Sequence, residues 1–463
     1  MSDTTTVVNP ATEAPIAELS RSGVEETDEA VARSLAAGPA WRAVAPADRA
    51  RLLRRFAAQV EEHGEELAQL ETANVGKAIA DSRDEVGMVA EVLYFYAGAV
   101  DKHRGATVPV AGGVDMTFHE PLGVVAAVVP WNFPIAITSW KVGPALATGN
   151  TIVVKPAEIT PLTALRLAEL ALDAGIPEGV LQVVLGQGSV VGTRLVEHPD
   201  VAKVAFTGST EVGRDVMSRA SGTIKRVTLE LGGKSASVIF ADADLERAAA
   251  ATPGGVFANA GQDCCARSRV LVQRTVLERF LDLLADAVSH WTVGDPTDPA
   301  VKMGPLVTEA HRRVVEGFLA PGMGAPGGGA VEAFATGAVP EGPGFWFPPT
   351  VVGPAEPGWR MAREEIFGPV VAVIPFDDEE DAVRLANDTP YGLSGSIWTR
   401  DGARALRVAR AIQSGNLSVN SHSSVRVQTS FGGMKQSGFG RELGLEALAS
   451  YSDVKNVFVS TDG

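Results

Sequence analysis

Only two cysteines occur in the 463 residues, and they are adjacent: Cys264 and Cys265 in "NAGQDCCARSR", Asn259 to Arg269. Neighbouring α-carbons lie ~3.8 Å apart across a trans peptide, below the usual span of a disulfide, so no structural disulfide is expected. A thiolate is a strong nucleophile toward a carbonyl carbon. With a nearby carboxylate, an amide side chain and backbone N–H groups it makes an acyl-transfer site. The other reading is two small buried hydrophobes. Nothing in the residues themselves chooses between Cys264 and Cys265.

Other residues with chemical potential sit at the ends of apolar runs. In "ELGG", Glu230 stands against two glycines that let a backbone approach closely, and it reads either as a general base or as a glutamate paired in a loop. In "KPAE", Lys155 and Glu158 follow a strand. A carboxylate there can accept from both hydroxyls of a ribose and would repel a 2′-phosphate. In "FTGSTEVG", Gly208 and Ser209 could open a helix whose free amides take a phosphate, or Ser209 could simply cap it. "LGQGSVVG", Leu185 to Gly192, has G-x-G-x-x-x-G spacing, not the dinucleotide G-x-G-x-x-G, and reads as a tight strand-to-helix turn.

These residues need a scaffold. Helical periodicity runs from about Thr27 to Val100, as in "ADRARLLRRFAAQVEEHGEELAQLETANVG". From Gly123 onward, apolar runs such as "GVVAAVV", "NTIVVKP" and "VAKVAFTG" alternate with helical segments, the pattern of a parallel sheet buried on both faces. A second series with "SRVLVQ", "VVAVIPF" and "GSIWT" implies a second α/β unit. "APGMGAPGGGA", residues 320–330, reads as a loop, and the tail "ASYSDVKNVFVSTDG" as a strand that could pair across subunits. The chain is long enough for two or three domains, and 45% hydrophobic residues fill their cores. A formal charge of −16 argues against a nucleic-acid partner. The uncharged run Pro121 to Trp140 imitates a membrane span, but Pro130 and Pro134 bracket Asn132 in its middle, so strand, loop and helix are expected and no membrane partner. The sparse cysteines and a polar start without a basic, apolar leader point to the reducing cytoplasm.

Together, "PWNFP" (130–134), "KPAE" (155–158), "FTGSTEVG" (206–213), "LELGGKS" (229–235), "GQDCC" (261–265), "EEIFGP" (364–369) and "FGGMKQSGFGRELG" (431–444) closely resemble, in order, the NAD(P)-dependent aldehyde dehydrogenase superfamily. The resemblance runs from Asn9 to the tail. It implies two parallel α/β domains, with NAD bound by residues 1–102 and 121–230, catalysis on 231–435, and a small oligomerisation element from 103–120 and 436–463. A homodimer or homotetramer follows. It implies Cys264 as nucleophile, Asn132 with the Cys264 N–H as oxyanion donors, and Glu230 as the base that activates water. It implies a cofactor site of Trp131, Lys155, Glu158, Gly208, Ser209, Val212, Gly213, Leu231, Glu365 and Phe367, with Glu158 favouring NAD over NADP. No metal is expected.

Asp263 is the departure that bears on substrate. A carboxylate beside the nucleophile raises the thiol's pKa, and a cationic aldehyde would offset it. "GQDC" also resembles the aminobutyraldehyde and betaine aldehyde dehydrogenase branch. There Phe133, Trp140 and Phe431 fall where the family places aromatic pocket walls, able to cradle an ammonium. The expected substrate is therefore an ω-amino-aldehyde such as 4-aminobutanal, with betaine aldehyde, succinic semialdehyde or a general aliphatic aldehyde as alternatives. Against this stands an ordinary ion pair of Asp263 with Arg267 or Arg269. A thiol esterase and an inactive binding relative are the non-redox rivals.

Overall fold

The computed structural model describes residues 4–320 and 332–462. A hairpin of Thr4–Val8 and Pro15–Ser20 leads into four helices, Val24–Ala43, Pro46–Glu62, Gly64–Val75 and Ile79–Ala99. The second starts with a proline in its first turn, where the missing N–H costs nothing. Leu53, Phe56 and Val60 recur along one face and are buried. They share a core with helix Pro134–Ala147, every residue of which is buried.

The uncharged run resolves as expected. Val124–Val128 is a strand, a turn follows, and Pro134 opens that buried helix. Among the described residues, no helix is long and apolar enough to cross a membrane.

Six strands form the first sheet, in the order Gly438–Phe439, Arg226–Glu230, Val201–Thr207, Val124–Val128, Thr151–Lys155, Leu181–Val183. All neighbours are parallel except the first pair. From Val124–Val128 the chain winds outward one way through Thr151–Lys155, then returns to Val201–Thr207 on the other side. Crevices at the carboxyl ends of strands on either side of such a reversal are where open α/β sheets bind ligands.

The second sheet has seven strands, in the order Ala335–Thr336, Thr350–Val352, Val370–Phe376, Arg269–Gln273, Ala236–Ile239, Ser394–Trp398, Asn416–Val419, with the first pair antiparallel. Its central strands are apolar on both faces, which is why they read as continuous runs without alternation. The glycine-rich stretch 320–330 lies outside the described residues apart from Ala320.

A third, antiparallel sheet joins Ser452–Ser460, Gly113–Pro121 and Thr107–Val110. The tail strand pairs within its own chain, from Ser452 opposite Pro121 to Ser460 opposite Gly113. Val454, Phe458, Phe118 and Val108 leave this sheet with exposed apolar side chains.

Candidate active site

The cysteine loop follows helix Leu245–Phe257 through a backbone that turns three times in the left-handed region: Asn259 at φ 49°, Ala260 at 55° and Gly261 at 70°. The last position admits only glycine, because a Cβ there would lie 2.2 Å from the Gly368 carbonyl oxygen. This contact brings the "EEIFGP" segment against the loop.

A net of amides holds the turn. Buried Gln262 donates from Nε2 to Asn259 O at 3.0 Å and accepts at Oε1 from Val307 N at 2.8 Å. Its carbonyl accepts from Asn132 Nδ2 at 2.9 Å, while Asn259 Nδ2 donates to Asn132 O at 2.9 Å. Asn132 is thus tied to the cysteine loop by both ends, and an amide nitrogen carries a second donor. Gln262 and Asn259 were not among the predicted site residues. Their only sequence signal is the recurrence of amides just before the cysteines.

Cys264, Asn132, Glu230, Trp131, Phe133, Gly208, Ser209, Leu231, Glu365 and Phe367 line one cleft of about 240 Å³. The first sheet contributes residues just beyond Val124–Val128, Val201–Thr207 and Arg226–Glu230. The thiol, Glu365 and Phe367 come from the other unit. Asp263, Trp140 and Phe431 do not line this cleft. Trp140 and Phe431 pack edge to face, centroids 5.2 Å apart, in the core that Phe133 and Cys264 also touch. Phe133 carries the buried Lys77 Nζ 4.6 Å from its ring centroid.

The electrostatics of the cleft are acidic. The Cys264 thiol is pushed well above its ordinary range by its hydrogen bond with Cys265, by burial, and by the charges of Asp263 and Glu365. Among the described residues, the Cys264 N–H meets no protein acceptor. The Asp263 carboxyl is itself raised by burial, against the N–H of Cys265, which donates to Oδ1 at 2.8 Å, and against Arg267.

Neither arginine makes the ion pair weighed above. Arg267 donates to Ser396 Oγ (3.1 Å), His422 O (2.9 Å), Ser424 Oγ (3.0 Å) and the Cys265 carbonyl, stitching the cysteine loop to residues 422–424. Arg269 donates to the carbonyls of Lys234, Leu385 and Ala386. Asp263, Cys264 and Cys265 also bring one ligand atom each within 4.8 Å of one another. A soft cation held there would block the thiol.

Glu230 ends its strand buried, and neither carboxylate oxygen has a hydrogen-bond partner among the described residues. Its pKa is pushed well up by burial and by Glu442, against Lys141 and Arg441. Lys141 and Glu442 form a fully buried ion pair, and Lys141 Nζ also donates to Thr207 Oγ1 at 2.8 Å. Glu365 accepts from Gly233 N at 2.8 Å, over a glycine whose Cβ would sit 2.3 Å from Oε2. Burial raises this carboxyl to about 7.

Phe367 adopts φ 58° and stands edge to face with Trp131, centroids 5.2 Å apart. His311, which sequence reading did not single out, fixes it by a 2.7 Å contact from Nε2 to the Phe367 carbonyl.

Farther along the crevice, Ser209 Oγ caps helix Thr210–Ala220 by accepting from Val212 N at 3.3 Å. Gly213 lets that helix press on Leu231, and Val212 is exposed. Lys155 is buried at its strand end, its pKa lowered by burial against the pull of Glu158.

The aldehyde dehydrogenase family model matches residues 1–457. An NADP/NAD-dependent aldehyde dehydrogenase, PuuC, from Escherichia coli is 41% identical over 99% of this chain and 93% of its own length. A betaine aldehyde dehydrogenase from Bacillus subtilis is 38% identical over 98% and 94%. Among solved structures, PnpE in complex with nicotinamide adenine dinucleotide superimposes with a TM-score of 0.95 at 42% identity, covering 99% of this chain and 95% of that one. A betaine aldehyde dehydrogenase from Staphylococcus aureus in complex with NAD+ gives 0.96 at 36%, covering 100% and 92%. With relatives at this identity over nearly the whole chain, and a thiol, a buried carboxylate and an asparagine amide facing one cleft, the chain belongs to the aldehyde dehydrogenase family.

Proposed function

We propose that this aldehyde dehydrogenase oxidises a cationic aldehyde of the ω-amino class, such as 4-aminobutanal, to the carboxylic acid with NAD, through a thiohemiacetal and a thioester on Cys264. The observation that carries the substrate class is Asp263. It is a carboxylate next to the nucleophile that forms an ion pair with neither Arg267 nor Arg269, although the charge of Arg267 reaches it. The aromatic wall of Phe133 suits an ammonium group, and relatives named betaine aldehyde dehydrogenases are named for a cationic aldehyde.

The cofactor fits the residues present. A capped helix N-terminus at Gly208 and Ser209 suits a pyrophosphate, with Val212, Gly213 and Leu231 shaping that helix's approach. Lys155 and Glu158 suit the adenine ribose; among the described residues Glu158 Oε1 makes no hydrogen bond, though it faces Arg21 Nε at 3.3 Å. Trp131, Glu365 and Phe367 frame the nicotinamide end. A relative named NADP/NAD-dependent agrees with this use.

In a cleft with this many acidic groups the resting thiol is held protonated, and a cation entering it lowers the thiol's pKa, so that the proton passes to water and leaves the thiolate. The thiolate adds to the aldehyde carbon, and the second amide hydrogen of Asn132 and the Cys264 N–H receive the developing oxyanion. Bound NAD supplies the acceptor for the hydride that leaves the former aldehyde carbon, so that carbon becomes the thioester carbonyl. Glu230 takes a proton from the water that attacks this thioester, and the acid leaves. The two α/β units carry the cofactor and catalytic roles, and the third sheet, with its exposed valines and phenylalanines, joins subunits into a homodimer or homotetramer.

The test is the rate of NADH formation with 4-aminobutanal, betaine aldehyde, succinic semialdehyde and hexanal, in the parent and in Asp263→Asn, which keeps an acceptor for the Cys265 N–H. Cationic aldehydes should win, and lose their advantage in the variant. A win for hexanal or the semialdehyde ends the cationic reading and leaves the dehydrogenase intact. No NADH with any aldehyde would return the esterase and inactive readings.

A further inference from the structure

Arg267 follows the nucleophile in the same loop and is buried, 3% exposed. Helix Leu245–Phe257 holds its backbone, since Arg267 N donates to Gly255 O at 2.9 Å. Its guanidinium reaches strand Ser394–Trp398 at Ser396 Oγ, and residues 422–424 through His422 O and Ser424 Oγ. Those partners brace each other: Ser396 Oγ contacts His422 Nδ1 at 2.8 Å, and Ser424 Oγ contacts Ser394 Oγ at 3.0 Å. The remaining arm of this fixed fork, Nη1, donates to the Cys265 carbonyl. Among the described residues, the groups that accept from Arg267 are all neutral carbonyls and hydroxyls. Burying a cation on neutral acceptors costs free energy, so a gain in stability does not account for it.

The Cys265 carbonyl leads back to the oxyanion donor. Its peptide ends in the Ala266 N–H, which donates to Asp263 O at 3.0 Å, and that carbonyl's peptide ends in the Cys264 N–H. In a planar trans peptide the C=O and N–H point in opposite directions, so fixing one end aims the other. The peptide between Cys264 and Cys265 is fixed as well, by the Cys265 N–H on Asp263 Oδ1 at 2.8 Å. A hydrogen-bond chain headed by a cation also polarises its links, by ~10–30% per bond. The direction suits an oxyanion, because each C=O accepts from the guanidinium side and each N–H donates away from it.

We propose that Arg267 is a positioning residue for the oxyanion, aiming and polarising the Cys264 N–H, through two peptides, toward the charge that develops on the aldehyde oxygen. This rests on the reading of that N–H and Asn132 as oxyanion donors. Arg267 itself does not line the cleft, so it acts on the reaction through the backbone.

Two reactions of Cys264 test it, neither of which needs a cofactor or a charged reagent. With 4-nitrophenyl acetate the thiolate adds to the acetyl carbonyl, whose oxygen takes the negative charge; 4-nitrophenolate leaves, and water hydrolyses the acetyl thioester. With iodoacetamide the thiolate displaces iodide from carbon and no oxyanion forms. Both draw on the thiolate, so the ratio of the two rates at one pH cancels any change in thiolate fraction. First-turnover release of 4-nitrophenolate, divided by alkylation of Cys264 read by mass, should fall about tenfold in Arg267→Gln, short of the ~10²–10³ lost with a whole donor. Arg267→Lys keeps the charge but replaces a fork with a point donor, so its ratio should lie between those of the parent and Arg267→Gln.

An unchanged ratio in Arg267→Gln overturns the proposal; if that variant does not fold, an unchanged ratio in Arg267→Lys does the same. Asn132→Ala separates the layers. If it leaves the ratio unchanged, the oxyanion reading falls and takes the proposal with it. If it lowers the ratio while Arg267→Gln does not, only the role of Arg267 falls.

Discussion

The buried pair of Lys141 and Glu442 offers the sharpest test of how the site is powered. Both side chains are fully buried, and among the described residues Glu442 Oε2 has no partner. Lys141→Met strands that carboxylate in the core, and breaking a buried pair from one side costs about 3–5 kcal/mol. The same change acts on Glu230, whose pKa is raised by burial and Glu442 and held down by Lys141. Removing the cation raises it further.

The sign follows. A carboxyl whose folded pKa lies above its unfolded value contributes stability at pH below that unfolded value and loses it as pH rises through the folded one. The stability deficit of Lys141→Met should therefore be larger at pH 8 than at pH 5. The ascending limb of kcat, where Glu230 must be ionised, should move to higher pH.

Lys141→Met with Glu442→Leu removes both charges. Well-packed apolar replacements of a buried pair are often neutral or stabilising by about 1–4 kcal/mol. Because Glu442 outweighs Lys141 at Glu230, the limb should then move to lower pH. Urea unfolding at the two pH values and a pH profile of kcat read both effects. A single variant that loses less than about 1 kcal/mol, or a double variant no better than the single, refutes the reasoning.

Two further outcomes follow from the same geometry. Glu230→Gln should form thioester but not hydrolyse it, so rapid mixing with aldehyde and NAD should show a burst of NADH near one per site, followed by a steady rate about 10²–10⁴ lower than the parent's. Asn132→Ala should lower kcat about 10²–10³-fold, or roughly 3–4 kcal/mol, with KM changed much less, because the amide acts on charge that develops only in the transition state.

Much of this was legible in local pattern. Continuous apolar runs announced two buried parallel sheets, and Pro130 and Pro134 correctly divided the uncharged stretch into strand, turn and helix. The family resemblance of the motifs, which spacing alone did not supply, named Cys264, Asn132, Glu230, Glu365 and Phe367, which line one cleft. What stayed hidden depends on contacts between distant segments.

No local rule pairs Lys141 with Glu442, 301 positions apart, or sends Arg267 to the carbonyl of His422 instead of to Asp263. Gln262 and His311 act by hydrogen bonding backbone carbonyls and N–H groups, which leave no residue-type signature at the other end. Arg21 sits in an ordinary polar strand end, and only the fold brings it to Glu158. Trp140 and Phe431 are pocket walls by resemblance, yet they pack on each other in the core that Cys264 touches and do not line the cleft.

The edge of the first sheet has a consequence for how the protein is made. Glu230 pairs with Gly438, and Leu229 with Phe439, so the strand bearing the base lacks its outer neighbour until synthesis has reached residues 438 and 439. At ~5–20 residues per second, the ribosome needs roughly 10–40 s to travel from one partner to the other. During that time the first sheet can assemble its parallel core but cannot close its edge. Translation that stops short of residue 438 leaves Cys264 and Asn132 synthesised and Glu230 unclamped, so synthesis through that strand is itself a condition for a working site.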